Sequence, residues 1–247
     1  MKKLLFLSAL FTLIFASCDE GTNPDTGSIE INFSATYGGQ PLATDGTVYP
    51  FNDMELQFER IKFFIGEIEL VGIDGSITPI SDVEIFDLAG KTAETAVDGE
   101  SVILNNIDAG EYQAVNFYVG LSERLNNLRP SEVPAKSAQN DGTYWSDWGS
   151  FIFSSIAGKE DLNQDGTLEH NIVYHIGGND AIRQKSFPGT VFLEGGELTT
   201  LNFEIDLRDM FMGDGVPFDV VNYNQVHQKS EIMLDLADRM QASIQRK

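Results

Sequence analysis

The chain has 247 residues, of which 42% are hydrophobic and 22% charged, the composition of a globular protein and not of a disordered or fibrous one. Lys+Arg 16 against Asp+Glu 38 gives a net charge of −22, which excludes the basic footprint that nucleic-acid binding needs. A single cysteine excludes an internal disulfide framework and any zinc site built on two or more thiolates.

Lys2 and Lys3 precede an almost wholly apolar run over 4–15. That run falls short of the roughly 20 residues a membrane-spanning helix needs and has the form of a signal-peptide core. It ends in Phe15-Ala16-Ser17-Cys18, small residues and then the lone cysteine, which resembles a bacterial lipobox. On that reading residues 1–17 are a signal peptide and Cys18 becomes the lipidated first residue, anchoring the protein to a membrane. An ordinary secretory signal with a chance cysteine is the alternative. Asp19 and Glu20 resemble the surface-export signal of Bacteroidetes lipoproteins, which implies the outer membrane or cell surface, with the periplasmic face as the other location. Residues 18–28 are polar and turn-rich, a lipidated tether before a single domain over 29–247.

The body has the pattern of an all-β protein. Ile29, Ile31 and Phe33 alternate with polar residues, as a half-buried strand requires. Ile61, Phe63 and Ile65 alternate in turn, Gly66 breaks the phase in the manner of a bulge, and Ile68 and Leu70 resume it. Asp74-Gly75 signals a hairpin leading to Ile77, Ile80, Val83, Ile85 and Phe86. Further strands are expected over 102–107, 112–121, 151–156, 172–176, 190–193 and 198–207. Many short strands separated by Gly, Asp and Asn turns specify a β-sandwich, Ig-like or jelly-roll-like. Residues 122–150 form a long polar loop with Pro130, Pro134 and both tryptophans. Ile232, Leu236, Met240 and Ile244 recur at steps of four, with Met233 and Ala237 beside them, and specify a C-terminal amphipathic helix over 228–244.

Three features bear on function. Asp161, Asn163, Asp165, Thr167 and Glu169 place oxygens at alternate positions around Gly166, like the start of an EF-hand loop that curls around calcium. Ile172 stands where that loop needs its bidentate Glu, so an Asx-rich hairpin tip that binds nothing is the competing reading. The histidines number three, His170, His175 and His227, and imidazoles that converge suit copper or zinc. Spacing alone leaves each as readily a hydrogen-bonded structural residue. Trp145 and Trp148 fit either a sugar-stacking platform or core anchors at a loop-to-strand junction. No serine-nucleophile elbow, zincin motif or phosphate loop is present, so no catalytic constellation is assigned.

Several segments in order resemble the MbnP-like family, bacterial proteins related to the methanobactin-associated copper protein MbnP and, more distantly, to the copper proteins MopE and CorA. Residues 58–70, Phe86-Asp-Leu88, Ile107-Asp-Ala-Gly-Glu-Tyr112 and Phe117-Tyr-Val-Gly120 are similar to its strands. Asn126, followed by Pro130, falls in its Asn and Pro stretch. Tyr144-Trp145 with Phe151-Ile-Phe153 resembles its tryptophan signature, and His175-Ile-Gly177 its His-x-Gly motif. The match departs in three places: Asp147 takes the second signature tryptophan's position, Ser150 replaces a glycine, and residues 33–38 carry no histidine. The resemblance implies a β-protein outside the inner membrane that binds copper through His175 and His227. Trp145, or kynurenine formed from it, would flank the metal, and a diheme oxidase of the MbnH type would be a partner. The expectation is therefore a non-enzymatic copper-binding or copper-handling lipoprotein. The alternative is a glycan- or protein-binding surface module without a metal.

Overall fold

The computed structural model describes residues 25–133 and 143–247, so Cys18 and its flanks lie outside the described residues. The chain forms β1 (Thr26–Tyr37), β2 (Gln40–Pro41), β3 (Val48–Phe51), β4 (Met54–Gly72) and β5 (Ile77–Asp87). It continues through β6 (Glu100–Asp108), β7 (Gly110–Val119), the short helix α1 (Glu123–Asn126), β8 (Tyr144–Trp145) and β9 (Ser150–Asp161). Then come β10 (His170–Gly177), β11 (Arg183–Leu193), β12 (Leu198–Asp206), α2 (Leu207–Met212), β13 (Gln225–Val226), α3 (Glu231–Ser243) and β14 (Ile244–Arg246). Among the described residues no helix is long and apolar enough to cross a membrane.

The strands make two mixed sheets that pack as a sandwich. In the smaller, β1 runs parallel to β12 and antiparallel to β2 and β6, and β14 closes the far edge against β12. The larger has the order β11-β7-β4-β9-β10-β13, with β3 and β5 also on β4 and β8 on β9. Its spine is β4, a strand of 19 residues, where the sequence shows two alternating runs around Gly66. Its first half pairs with β9 and its second with β7, and the register shifts between Gly66 and Glu69 where one partner gives way to the other. The phase break in the sequence is thus a bulge in one strand. Two stretches have no apolar alternation to reveal them: β3, which carries Pro50, and the first half of β11, whose Arg183 to Ser186 is polar.

Aromatic side chains join the two sheets. Phe33 of β1 lies 5.2 Å from Phe63 of β4 and 4.6 Å from Phe86 of β5, and stacks on Phe203 of β12 at 5.1 Å. Phe117 and Phe187 from the larger sheet close on Phe203 at 5.2 and 5.0 Å. These rings are buried, and such edge and offset contacts add to what burial of their area contributes.

Helix α3 covers 231–243, starting and ending inside the expected 228–244. Ser230 caps it by accepting from Met233 N at 3.2 Å, and it stops where Ile244 enters β14. The face it buries is Met233, Leu236, Ala237 and Met240, while Ile232 is only half-buried. Helix α2 lies where the sequence shows only the end of a strand. Asp206, 7% exposed, creates it. Its Oδ1 accepts from Arg208 N and Asp209 N at the helix start and from Gly38 N after β1. Its Oδ2 accepts from Gly39 N at 2.7 Å and from Thr36 Oγ1 at 3.1 Å. Burial opposes the charged form, but the donors from Gly38, Gly39, Asp209 and Thr36 outweigh it and hold the carboxyl below its ordinary value. The stability this carboxylate supplies is complete above its ordinary pKa of 3.8 and is lost as pH falls through the depressed folded value. Asp206→Ala leaves five donors without their acceptor and is expected to cost about 3 kcal/mol. Urea denaturation at pH 7 measures this, and a loss under about 0.5 kcal/mol would show that the carboxylate does not hold α2 to β1.

Candidate metal centre

The site grows from the two-residue period of β10. Ile172, Tyr174 and Ile176 point into the core, so Val173 and His175 point to the other face of the larger sheet. There His175 stands beside Ser155 of β9, which in turn pairs with Lys62 of β4. The strand ends in two glycines that have separate duties. A side chain on Gly177 would meet the Phe151 carbonyl oxygen at 2.3 Å. Gly178 has φ +81° and lies against Lys229, whose Cε would be 2.7 Å from a Cβ there.

Two other segments bring their side chains to His175. β13 runs parallel to β10, pairing Gln225 with Val173 and Val226 with Tyr174. Val226 is buried, and His227 follows at once. The His227 and His175 Nδ1 atoms lie 3.3 Å apart, 52 residues distant in sequence. β8 pairs Trp145 with Ser150 at the start of β9. This places the Trp145 ring 5.3 Å from His175, edge-on, and 6.4 Å from His227. Trp148 stacks on Trp145 at 5.6 Å with 19° between planes. Lys229 Nζ donates to the Trp148 carbonyl at 3.2 Å and ties the His227 segment to the tryptophan turn. Trp145, Asp147, Trp148, His227, Gln228 and Lys229 line a cleft of about 490 Å³ beside the pair.

The structure therefore brings together all three residues that the family resemblance singled out, His175, His227 and Trp145. His170 does not join them. It lies at the other end of β10, where its Nδ1 is 3.1 Å from Oε1 of the fully buried Glu160. Both histidines of the pair are half-buried. Burial, and then the neighbouring His227 and Arg60, push the His175 pKa down from 6.5 to about 4. A neutral ring keeps a lone pair free, which is the form a metal takes. Two imidazole nitrogens 3.3 Å apart are closer than the span of two metal–nitrogen bonds of about 2 Å, so one ion can engage both. The donor set, imidazole without thiolate or carboxylate, suits copper or zinc better than magnesium or calcium. Because folded His175 titrates below its unfolded value, its contribution to stability is complete above pH about 6.5 and declines as pH falls towards about 4. An NMR titration should find the His175 ring neutral at pH 5.5, and a midpoint at or above 6.5 would contradict the burial described.

The acidic loop forms the β9–β10 hairpin tip, at the end of β10 remote from Gly177. Asp161, Asp165 and Glu169 bring one oxygen each within 4.8 Å of one another. Asp161 is buried and accepts from Asn163 N, Asp165 N and Gly166 N. Asn163 Oδ1 accepts from Asp165 N, and Asp165 Oδ1 accepts from Thr167 N. Ile172 is buried in the core and cannot serve as the twelfth-position ligand. Sequence reasoning missed Lys229 and Arg60. Lys229 is two residues past His227, while Arg60 reaches His175 only through the β4-β9-β10 register, which no local pattern announces.

A β-sandwich that gathers two imidazoles and an indole on the outer face of its larger sheet is the class of protein that the fold and this cluster define. The chain belongs to the MbnP family, whose sequence pattern matches residues 26–233 and so includes Trp145, His175 and His227. Among solved structures it is similar to MbnP from Methylosinus trichosporium, with 19% identity and a TM-score of 0.48. That match covers 75% of this chain and 78% of the other. No curated protein matches the chain.

Proposed function

We propose that this MbnP-family protein binds copper at His175 and His227, with Trp145 beside the metal, and that it stores or hands on the ion and does no catalysis. The observation that carries this reading is the approach of the two Nδ1 atoms to 3.3 Å under the Trp145 ring. Copper bound there would supply redox and Lewis-acid chemistry. The protein supplies two oriented imidazoles, an indole wall against His175 and His227, and a Lys229 strap that holds the tryptophan turn in place. The indole is also the group that an oxidising partner, a diheme oxidase of the MbnH type, would convert to kynurenine. We place the protein on the cell surface or outer membrane through lipid on Cys18. The surrounding charge of −22 would concentrate cations near it.

Titration of the lipid-free protein with Cu(I) and Cu(II) tests the reading. One equivalent should bind to the wild type, and His175→Ala or His227→Ala should each weaken it at least a hundredfold. Equal binding by the wild type and the double variant would overturn it. The favoured alternative would then be a glycan- or protein-binding module using the Trp145–Trp148 turn. The geometry already narrows that alternative, because Trp145 spends one face on Trp148 and packs against both histidines.

A second ion is favoured by the convergence of Asp161, Asp165 and Glu169, with Asn163 and Thr167 in the same turn. Calcium there would serve structure, since the loop closes the β9–β10 hairpin. Millimolar calcium should raise the thermal midpoint by about 2 °C or more, and Asp161→Ala should abolish the rise. A midpoint unmoved by calcium would leave the loop as an Asx-rich turn.

A further inference from the structure

The Asn126 side chain hydrogen-bonds to Phe151 and Asn179 and so ties together the segments that carry the tryptophan and His175. It is the last residue of α1, which Ser122 caps, and it is 2% exposed. A buried carboxamide must find partners for its oxygen and its nitrogen. The Asn126 Oδ1 accepts from Phe151 N at 3.0 Å, and its Nδ2 donates to Asn179 Oδ1. Asn179 Nδ2 then donates to Asn127 Oδ1 at 2.9 Å and closes a small amide ring.

Both partners lead to the metal centre. Phe151 pairs with Tyr144, and its neighbour Ser150 pairs with Trp145, so fixing the Phe151 amide fixes the origin of the strand that carries Trp145. The Phe151 carbonyl accepts from Gly178 N at 3.3 Å, and Asn179 is the next residue. The backbone of Phe151 is therefore held at both of its polar groups, by Asn126 on its nitrogen and by the chain leaving His175 on its oxygen. Gly178 packs on the stem of Lys229, which follows His227 by two residues and holds the Trp148 carbonyl. One buried amide thus spans the tryptophan arm and the His175 arm, and packing at Gly178 extends the tie to the His227 arm.

We propose that Asn126 is a positioning residue for this centre: it sets where Trp145 stands relative to His175. The inference rests on reading the cluster as a metal centre, but its first consequence needs no metal. Removing the amide leaves the Phe151 N–H buried without an acceptor, and the strain is relieved by movement of the β8–β9 turn. Asp at this position keeps the acceptor for Phe151 and loses the donor to Asn179 Oδ1, so either the two arms part or the Asn179 carboxamide turns over and gives up its bond to Asn127, with β9 paired in both cases.

The test compares the near-ultraviolet circular dichroism and tryptophan fluorescence of the metal-free protein across variants, with Trp145→Phe assigning the Trp145 signal. Asn126→Ala, Asn126→Asp and Asn179→Ala are set against Thr44→Val. Thr44 is a buried hydroxyl that bonds Leu88 O and Lys91 N elsewhere in the chain, so its loss lowers stability without touching the arms. Copper titration follows on the same set. The expected result is a changed Trp145 signal and at least tenfold weaker copper in both Asn126 variants, a smaller change of the same sign in Asn179→Ala, and only a lower thermal midpoint in Thr44→Val. A Trp145 signal identical to wild type in the Asn126 and Asn179 variants would overturn the proposal whatever their midpoints. Should Asn126→Ala fail to fold, Asn179→Ala, at an exposed residue, decides by the same signal. Should the wild type bind no copper, the metal reading fails, and the metal-free Trp145 signal still judges the role of Asn126.

Discussion

The antiparallel register of β9 with β10 is the constraint on which the site depends. Pairing His175 with Ser155 puts Tyr174 opposite Ile156 and sends its ring into the core, against Phe211 and Phe218. A slip of one residue would bury the imidazole and expose the phenol. Such a slip would leave a full tyrosine out of the core, and it would break the fit of Gly177 against the Phe151 carbonyl. The orientation of His175 is therefore enforced by its apolar neighbours on either side. Val226 does the same for His227: its burial beside Tyr174 leaves the next side chain on the outer face.

The core and the site divide the work. The phenylalanines around Phe33 and the carboxylate of Asp206 lock the two sheets and the β1–α2 corner, and none of them touches the histidines. The cluster stands on the solvent side of the larger sheet, half-buried, where the rigid strands supply His175 and the short β8 and β13 segments supply the rest. An ion can reach such a place, and the rigidity behind it limits how far the nitrogens can drift apart. The depressed pKa of His175 is a consequence of the same placement, since half-burial beside a second imidazole and Arg60 penalises the charged ring.

Alternation exposed most of the sandwich in advance, from Ile29-Ile31-Phe33 to the strand beginning at Leu198. It failed where burial does not alternate. β3 is a short edge strand interrupted by Pro50, and the first half of β11 pairs with β7 through polar residues. Helix α2 was hidden because its cause, five donors meeting Asp206, comes partly from Thr36, Gly38 and Gly39. The stripe of α3 is buried at Leu236, Met240 and Ile244, with Met233 and Ala237 beside it, and only Ile232 stands half-buried at its edge. Of the site, His175, His227 and Trp145 were legible only through the order of family-like motifs. Lys229, Arg60 and Asn126 act across long sequence separations and leave no periodic trace.

The sequence by itself determined the apolar face of each strand, the hairpin at Asp74-Gly75, the bulge at Gly66 and the oxygen spacing of the 161–169 loop, because each is a local matter of residue type and period. Only the tertiary structure decided that His175 and His227 meet, that His170 is turned away to Glu160, and that Trp145 closes over the pair. Those outcomes are set by which strand edges pair, β13 on β10 and β8 on β9. Pairing of distant edges is fixed by the packing of the whole sandwich, a quantity no window of sequence contains.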